Sequence, residues 1–279
     1  LLALHQKNDP RRASNYRFLH LRSDLSRLFQ LLVYLKLENH FDLHTDESQM
    51  GGRRDCDTVE HLAMITSLVK DREEKGKGVL MCAVDAVKCF DRSHLSDNHA
   101  ILQLEGADRK AMKVLYKYQK MNVIRVSGSK KPIIIMNGMG QGGIPDARVT
   151  TSGITEATVR HMAKLPRELA LHHRDERVDN QGYVDDGLLC SDNTESSGRA
   201  TELYGDMMDE LSMEAHPEKS VQVVAGAAEW REKIKEDLLA NPNRLQSFPV
   251  KLSKEEKYLG LYLVEGSYKQ MIDKNIEVK

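Results

Sequence analysis

Val79-Leu80-Met81-Cys82-Ala83-Val84-Asp85 is an apolar run that ends on a carboxylate. A short continuous run of this kind, entered through Gly76 and Gly78, predicts a strand buried on both faces. A second stretch, Gly182-Tyr183-Val184-Asp185-Asp186-Gly187-Leu188-Leu189-Cys190, predicts two short strands joined by an acidic turn. Neighbouring strands would bring Asp85, Asp185 and Asp186 together at one end of a sheet. Adjacent acids repel unless a cation sits between them, and hard oxygen donors suit Mg²⁺ or Mn²⁺. Two such ions would serve an in-line phosphoryl displacement. An Asp-Asp-Gly tripeptide is also ordinary β-turn chemistry, so the residues alone leave both readings open.

Working outward, a helix is expected from Ser23 or Asp24 to about Asn39, with Leu25, Leu28, Leu32, Leu35 and Phe41 as its apolar face. A second helix opens at Asp57, with Glu60 placed for a capping box. Asn122–Val126 and Pro132–Met136 flank Ser127-Gly128-Ser129 as a hairpin. A Gly-rich turn, Gly138–Gly143, leads into a helix from about Asp146 to Lys164. Further helices are expected at Ser196–Met213 and Glu229–Leu239, a strand at Ser220–Val224, and a strand pair over Lys257–Val264. This order suggests an antiparallel sheet backed by helices, an α+β fold.

The chain has 279 residues, 40% apolar and 30% charged, enough for one large domain or two intimate subdomains. No apolar run approaches the roughly 20 residues of a membrane span, so no membrane is expected as a partner. The start, Leu1-Leu2-Ala3-Leu4, has neither an initiator Met nor a leader pattern and reads as a piece of a longer polypeptide. Cys56, Cys82, Cys89 and Cys190 form no CxxC pair, which suits a reducing, intracellular setting.

The net charge of −1 hides a polarised chain: residues 79–145 hold 10 basic and 5 acidic side chains, residues 146–279 hold 18 and 25. Arg109 to Lys131 contains eight Lys/Arg and no acid. Lys110, Lys113, Lys117 and Lys120 recur at helical spacing opposite Ala111, Val114, Leu115 and Tyr118. Such a row either meets an anionic partner or is a solvated helix face.

Several of these stretches resemble motifs of one family. Val84-Asp85-Ala86-Val87-Lys88-Cys89-Phe90-Asp91 resembles the first palm motif of reverse transcriptases, and Tyr183-Val184-Asp185-Asp186 their YxDD box. Gly140-Gln141-Gly142-Gly143-Ile144 resembles the PQG motif before the nucleotide-binding helix. Asn15-Tyr16-Arg17, Gln49-Met50-Gly51-Gly52-Arg53, Met213–Ser220 and Lys257-Tyr258-Leu259-Gly260 resemble, in order, further blocks of LINE-type, non-LTR retrotransposon enzymes. The spelling Gln141-Gly142-Gly143-Ile144 also resembles that of group II intron maturases.

The resemblance implies a polymerase right-hand fold: an antiparallel palm sheet backed by helices, a mostly helical fingers region, and a thumb absent or incomplete, since 19 residues follow Gly260. Fingers would cover 1–78, and the palm 79–279 with an interleaved fingers segment at about 106–140. The implied activity is RNA-directed DNA polymerisation on an RNA template and DNA primer with dNTP substrates, inside a ribonucleoprotein of the nucleus or cytoplasm. A maturase-like protein and a non-catalytic nucleic-acid-binding remnant are the alternatives.

Residue by residue, Asp85, Asp185 and Asp186 would hold the metals and Lys219 would lie near the pyrophosphate. Arg53 would grip the triphosphate, with paired donors matching phosphate geometry. The backbone at Cys89 would face the triphosphate, Phe90 would sit under the ribose, and Gln141 and Gly142 would line the nucleotide pocket. Tyr258 to Gly260 would lie against the primer. Asp91 is expected to be structural. Phe90 as a core ring, Arg53 as a solvated charge and Lys219 as a loop cap are the plainer readings. The chain departs from the family at Asp146-Ala147, where Ser-Pro is usual, at Phe18 in place of Pro, and at Gly52 in place of an aromatic.

Overall fold

The computed structural model describes residues 2–5, 9–12, 15–19, 23–54, 56–120, 123–124, 131, 133–134, 138–139, 143–241 and 250–277. In chain order the elements are β1 (Leu2–His5), β2 (Tyr16–Leu19), α1 (Asp24–His44), α2 (Thr58–Glu74), β3 (Gly78–Asp85), α3 (Cys89–Arg92), α4 (Leu95–Leu104) and α5 (Arg109–Lys120). Next come β4 (Val123–Ile124), β5 (Ile133–Ile134), α6 (Ile144–Met162), β6 (His172–His173), β7 (Glu176–Arg177), β8 (Asn180–Tyr183), β9 (Asp186–Ser191) and α7 (Thr194–Glu210). The series ends with β10 (Val221–Gly226), α8 (Ala228–Ala240), β11 (Lys251–Leu252), β12 (Glu255–Tyr258), β13 (Leu261–Val264) and α9 (Tyr268–Glu277). These elements form two compact units. A mainly helical unit holds Leu1–Thr45 with Lys88–Glu156, and a sheet unit holds Asp46–Val87 with Ala157–Lys279.

In the helical unit, α1 and α4 both pack against α5. Val33, Leu37 and Phe41 of α1 meet Leu102, Met112, Leu115 and Val149 in one core. This corrects the expected face of α1. Leu25, Leu28, Leu32 and Leu35 are 78%, 53%, 56% and 53% exposed, and of the five expected residues only Phe41 is buried. The helix carries two apolar stripes, and the one bearing Val33 and Leu37 won the core; periodicity alone does not rank them. Ser23 caps the helix by accepting from Ser26 N, as expected of a Ser-Asp start. The core also contains a polar chain: His99 donates to Gln119 Oε1 at 2.6 Å and Gln119 donates to Asp146 Oδ1 at 2.5 Å. Asp146, 1% exposed, is thus a buried hydrogen-bonding residue in the first turn of α6. That accounts for the departure there: the carboxylate braces the helix start. Of the expected hairpin, only Val123–Ile124 and Ile133–Ile134 are described, paired antiparallel; its Ser127-Gly128-Ser129 turn lies outside the described residues.

In the sheet unit the expected antiparallel sheet is present, with strand order β11-β10-β3-β9-β8. β10 with β3, β3 with β9 and β9 with β8 are antiparallel; only β10 with β11 is parallel. Successive side chains of a strand point to opposite faces, and both faces of β3 are covered. Met81 and Ala83 meet Ile65 and Leu68 of α2 and Met271 of α9, while Leu80 meets Val224 and Ile234 of α8. That double burial is why β3 reads as an unbroken apolar run. Asp57 caps α2, accepting from Val59 N at 2.8 Å and Glu60 N at 3.0 Å. Among the described residues no helix is long and apolar enough to cross a membrane.

Candidate active site

β3 and β9 run antiparallel in a register that sets Asp85 directly opposite Asp186. The β8–β9 connection is two residues long, Val184 and Asp185, with Tyr183 opposite Asp186. Three carboxylates therefore meet at one sheet end for a local reason: two central strands stop together, and the tight turn supplies the third acid. The segment Glu214–Ser220 docks on the end of β3. His216 N donates to Asp85 O at 2.7 Å and Val87 N to Glu214 O at 2.8 Å. This carries Lys219 to the acids, with Nζ 2.8 Å from Asp85 Oδ2.

The electrostatics follow from crowding. Burial first, then the charges of Asp185 and Asp85, push the Asp186 carboxyl up to about 6, while Lys219 pulls it down. Glu256 on β12 also has its pKa raised, mainly by burial and partly by the charge of Asp85. Among the described residues no three His, Cys, Asp or Glu side chains are already arranged around one ion; the ammonium of Lys219 stands against Asp85 instead. Oxygen donors only, like charges across a strand pair and an ammonium as stand-in cation fit a hard divalent ion.

The remaining expected site residues fall as follows. Arg53, partly buried, lines a cavity of about 590 Å³ in the sheet unit together with Met50, Met64, Met162, Arg177 and Gln181. Cys89 and Phe90 belong to the helical unit; Cys89 is buried and Phe90 packs at the edge of that unit's core. Gln141 and Gly142 lie outside the described residues. Gly52 sits at φ +74°, a left-handed conformation that an aromatic residue would adopt only under strain, which explains that departure.

Tyr258 requires a correction. It is 5% exposed and packs in the core of the sheet unit, so its ring is not offered to a primer. The exposed residues of that motif are Lys257 and Gly260, while Leu259 packs half-buried against the same core; Leu259 and Gly260 turn the chain at φ +49° and +90°. Behind Tyr258 stands His61, fully buried, with ring centroids 5.7 Å apart; a second edge of His61 faces Tyr183 at 6.1 Å. Burial lowers the His61 pKa to about 4, so it is a neutral ring at physiological pH.

Sequence reasoning assigned no role to Gln49 and did not single out Glu256. Gln49 lies within a recognised block, but its side chain reaches Val184, 135 residues away, a distance that no local pattern spans. Glu256 directly precedes the Lys257–Gly260 block and carries no motif of its own.

Residues 5–263 match the model of the reverse transcriptase (RNA-dependent DNA polymerase) family. The fold resembles a structure of apo telomerase from Candida tropicalis truncated from its C-terminal domain. The TM-score is 0.54 at 14% identity, over 86% of this chain and 44% of that one. It also resembles telomerase from Candida albicans in complex with a TWJ fragment of telomeric RNA. Here the TM-score is 0.50 at 14% identity, over 72% of this chain and 34% of that one. The chain thus spans less than half the length of either telomerase, and at such identity the likeness is one of fold. A search of curated protein sequences gives no match.

Proposed function

Because this chain belongs to the reverse transcriptase (RNA-dependent DNA polymerase) family, we propose that it carries an RNA-directed DNA polymerase core that adds deoxynucleotides to a primer 3′-hydroxyl. The observation that carries this reading is the cross-strand pair Asp85–Asp186, with Asp185 in the adjoining turn and Lys219 against Asp85. Asp85, Asp185 and Asp186 would hold Mg²⁺ or Mn²⁺. When bound, such ions supply activation of the attacking oxygen and charge neutralisation at the leaving pyrophosphate.

The chain's own residues take the other roles. Lys219, half-exposed beside Asp85, can give a proton to the departing pyrophosphate once Asp85 has a metal partner. Arg53 offers paired donors to a triphosphate. The ribose under Phe90, the triphosphate at Cys89, and the pocket at Gln141 and Gly142 rest on the sequence motifs. The exposed lysines of α5 would take template–primer phosphates.

Fingers and palm are proposed as functional regions at 1–78 and 79–279, with a fingers segment at about 106–140; the compact units differ in grouping residues 46–78 with the sheet and the whole of Lys88–Glu156 with the helices. The LINE-type assignment rests on the Asn15-Tyr16-Arg17 and Gln49–Arg53 blocks, and it implies further domains in a parent polypeptide and a ribonucleoprotein setting.

The test is extension of a DNA primer annealed to RNA by the purified chain. Template-directed addition of dNTPs is expected. Tight binding of the duplex with no addition under any divalent ion would leave the non-catalytic remnant.

A further inference from the structure

The turn that carries Asp185 is held in an unfavourable conformation by a side chain far away in sequence. Val184 takes φ +61° at the first central position of the β8–β9 connection, where a type II′ hairpin turn calls for glycine. A β-branched residue there is an outlier. Gln49, 4% exposed, lies against this residue. Its Oε1 accepts from Val184 N at 2.9 Å and from Gly51 N at 2.9 Å, and its Nε2 donates to Val184 O at 3.2 Å. The backbone around Gln49 is itself paired to β8: Gly182 N donates to Ser48 O at 2.7 Å and Met50 N to Gly182 O at 2.9 Å. Gly51 completes the seat, because a Cβ there would overlap the Val184 nitrogen and the Tyr183 carbonyl carbon.

We infer that Gln49 is a positioning residue for nucleotidyl transfer: its amide satisfies both backbone groups of Val184, fixes the left-handed turn, and so aims Asp185 and Asp186. Only a carboxamide does this. It presents an acceptor and a donor on one rigid plane, which match the N–H and C=O of a single residue. A carboxylate keeps the acceptor and loses the donor; a thioether of similar length keeps neither. The sheet alone does not hold the turn, since Val184 falls between the last ladder partners Tyr183 and Asp186. The inference rests on the reading of Asp185 and Asp186 as the metal-holding acids.

The experiment compares wild type, Gln49→Met, Gln49→Glu, Val184→Gly and the Gln49→Met/Val184→Gly double variant in the full chain. Primer-extension kinetics are read beside amide hydrogen exchange at Gly51 and Val184. Gln49→Met is expected to lower kcat by about 10- to 100-fold, the scale of a small misplacement of reacting groups, with the KM for dNTP little changed and faster exchange at both amides. Gln49→Glu should lie between it and wild type; it carries the same test if the Met variant does not fold. Glycine takes φ +61° without strain, so Val184→Gly should restore about tenfold or more of the kcat lost in Gln49→Met. Unchanged exchange and kcat in Gln49→Met, or a loss of the same size whatever stands at 184, would overturn the inference. Faster exchange in a chain whose wild type extends no primer would instead overturn the polymerase reading and leave the clamp in place.

Discussion

The acids at the ends of β3 and β9 and the amines along α5 are both groups of like charge, but their surroundings differ. The acids face each other across a strand pair, partly buried, and one has its proton held up to about 6. The amines of Lys110, Lys113, Lys117 and Lys120 are exposed on one helix face. Among the described residues none of them pairs with a carboxylate, and Lys120 rests only over the Tyr116 ring at 5.7 Å. Where like charges are spaced along a helix, water and salt relieve them. Where a strand register crowds them and burial strips their water, a held proton or a counter-cation relieves them. Lys219 meets part of that need at Asp85. A charge cluster therefore indicates function by how the fold constrains it, more than by its size.

The strongest way to break this contrast is to remove an acid. If the three acids hold the same ions, Asp185→Ala or Asp186→Ala should cut primer extension by at least about 10³-fold, because residues that act as a unit fail together. The fold should survive, and thermal melts should show equal or greater stability, since a crowded charge is gone. Near wild-type extension would return the turn to ordinary β-turn chemistry.

Next in size is sugar choice at Phe90. If its ring excludes a 2′-hydroxyl, the penalty from an unpaired buried polar group is about 1–3 kcal/mol, or about five- to 150-fold in rate. Phe90→Val should shift the rNTP to dNTP ratio of kcat/KM by an amount in that range. A fall in overall activity with a constant ratio would make Phe90 a core residue alone, in keeping with its packing against the helical unit's core.

The amine side of the comparison is sharpened by salt. Each phosphate contact contributes about 0.9 to the log–log salt slope on duplex DNA. Replacing Lys113 and Lys117 by Gln should flatten the slope for template–primer binding by up to about two units and weaken all sequences alike. A constant slope would make α5 a solvated face.

The smallest expected effect tests desolvation where no function is proposed. Burial and the charge of Glu156 push the Glu105 carboxyl up to about 7, and His40, itself lowered by burial, stands 3.3 Å away. The folded state thus holds this proton more tightly than the unfolded chain. Its contribution to stability is full below the ordinary carboxyl pKa and is lost as pH rises through about 7. Glu105→Gln should leave stability at pH 4 nearly unchanged and raise it at pH 8 by about 1–2 kcal/mol in denaturant unfolding. Equal effects at both pH values would contradict the shift.

Much of this arrangement was legible because its causes are local. β3 showed as an apolar run because both its faces are buried, the β8–β9 turn as acids between apolar segments, and α2 through its Asp57 cap. What stayed hidden depends on tertiary partners. The buried stripe of α1 was set by α5, not by periodicity. No helix was expected at α4, whose buried face includes polar residues: Asn98 and His99 are both 2% exposed, with Asn98 bonded to Ser93 and His99 to Gln119. Tyr258 sits in a recognisable motif, but which way its ring turns was decided by the core behind it. Gln49 bonds across 135 positions, and only the fold brings its amide to Val184.

Whether Asp85, Asp185 and Asp186 form the proposed cation site is tested, without relying on turnover, by direct Mn²⁺ titration followed by electron paramagnetic resonance. Binding is expected to be weak to the free chain and tighter with dNTP, whose phosphates would complete the coordination. Both should be lost in Asp85→Asn and in Asp186→Asn. Mn²⁺ binding of equal strength in wild type and in both variants would contradict it.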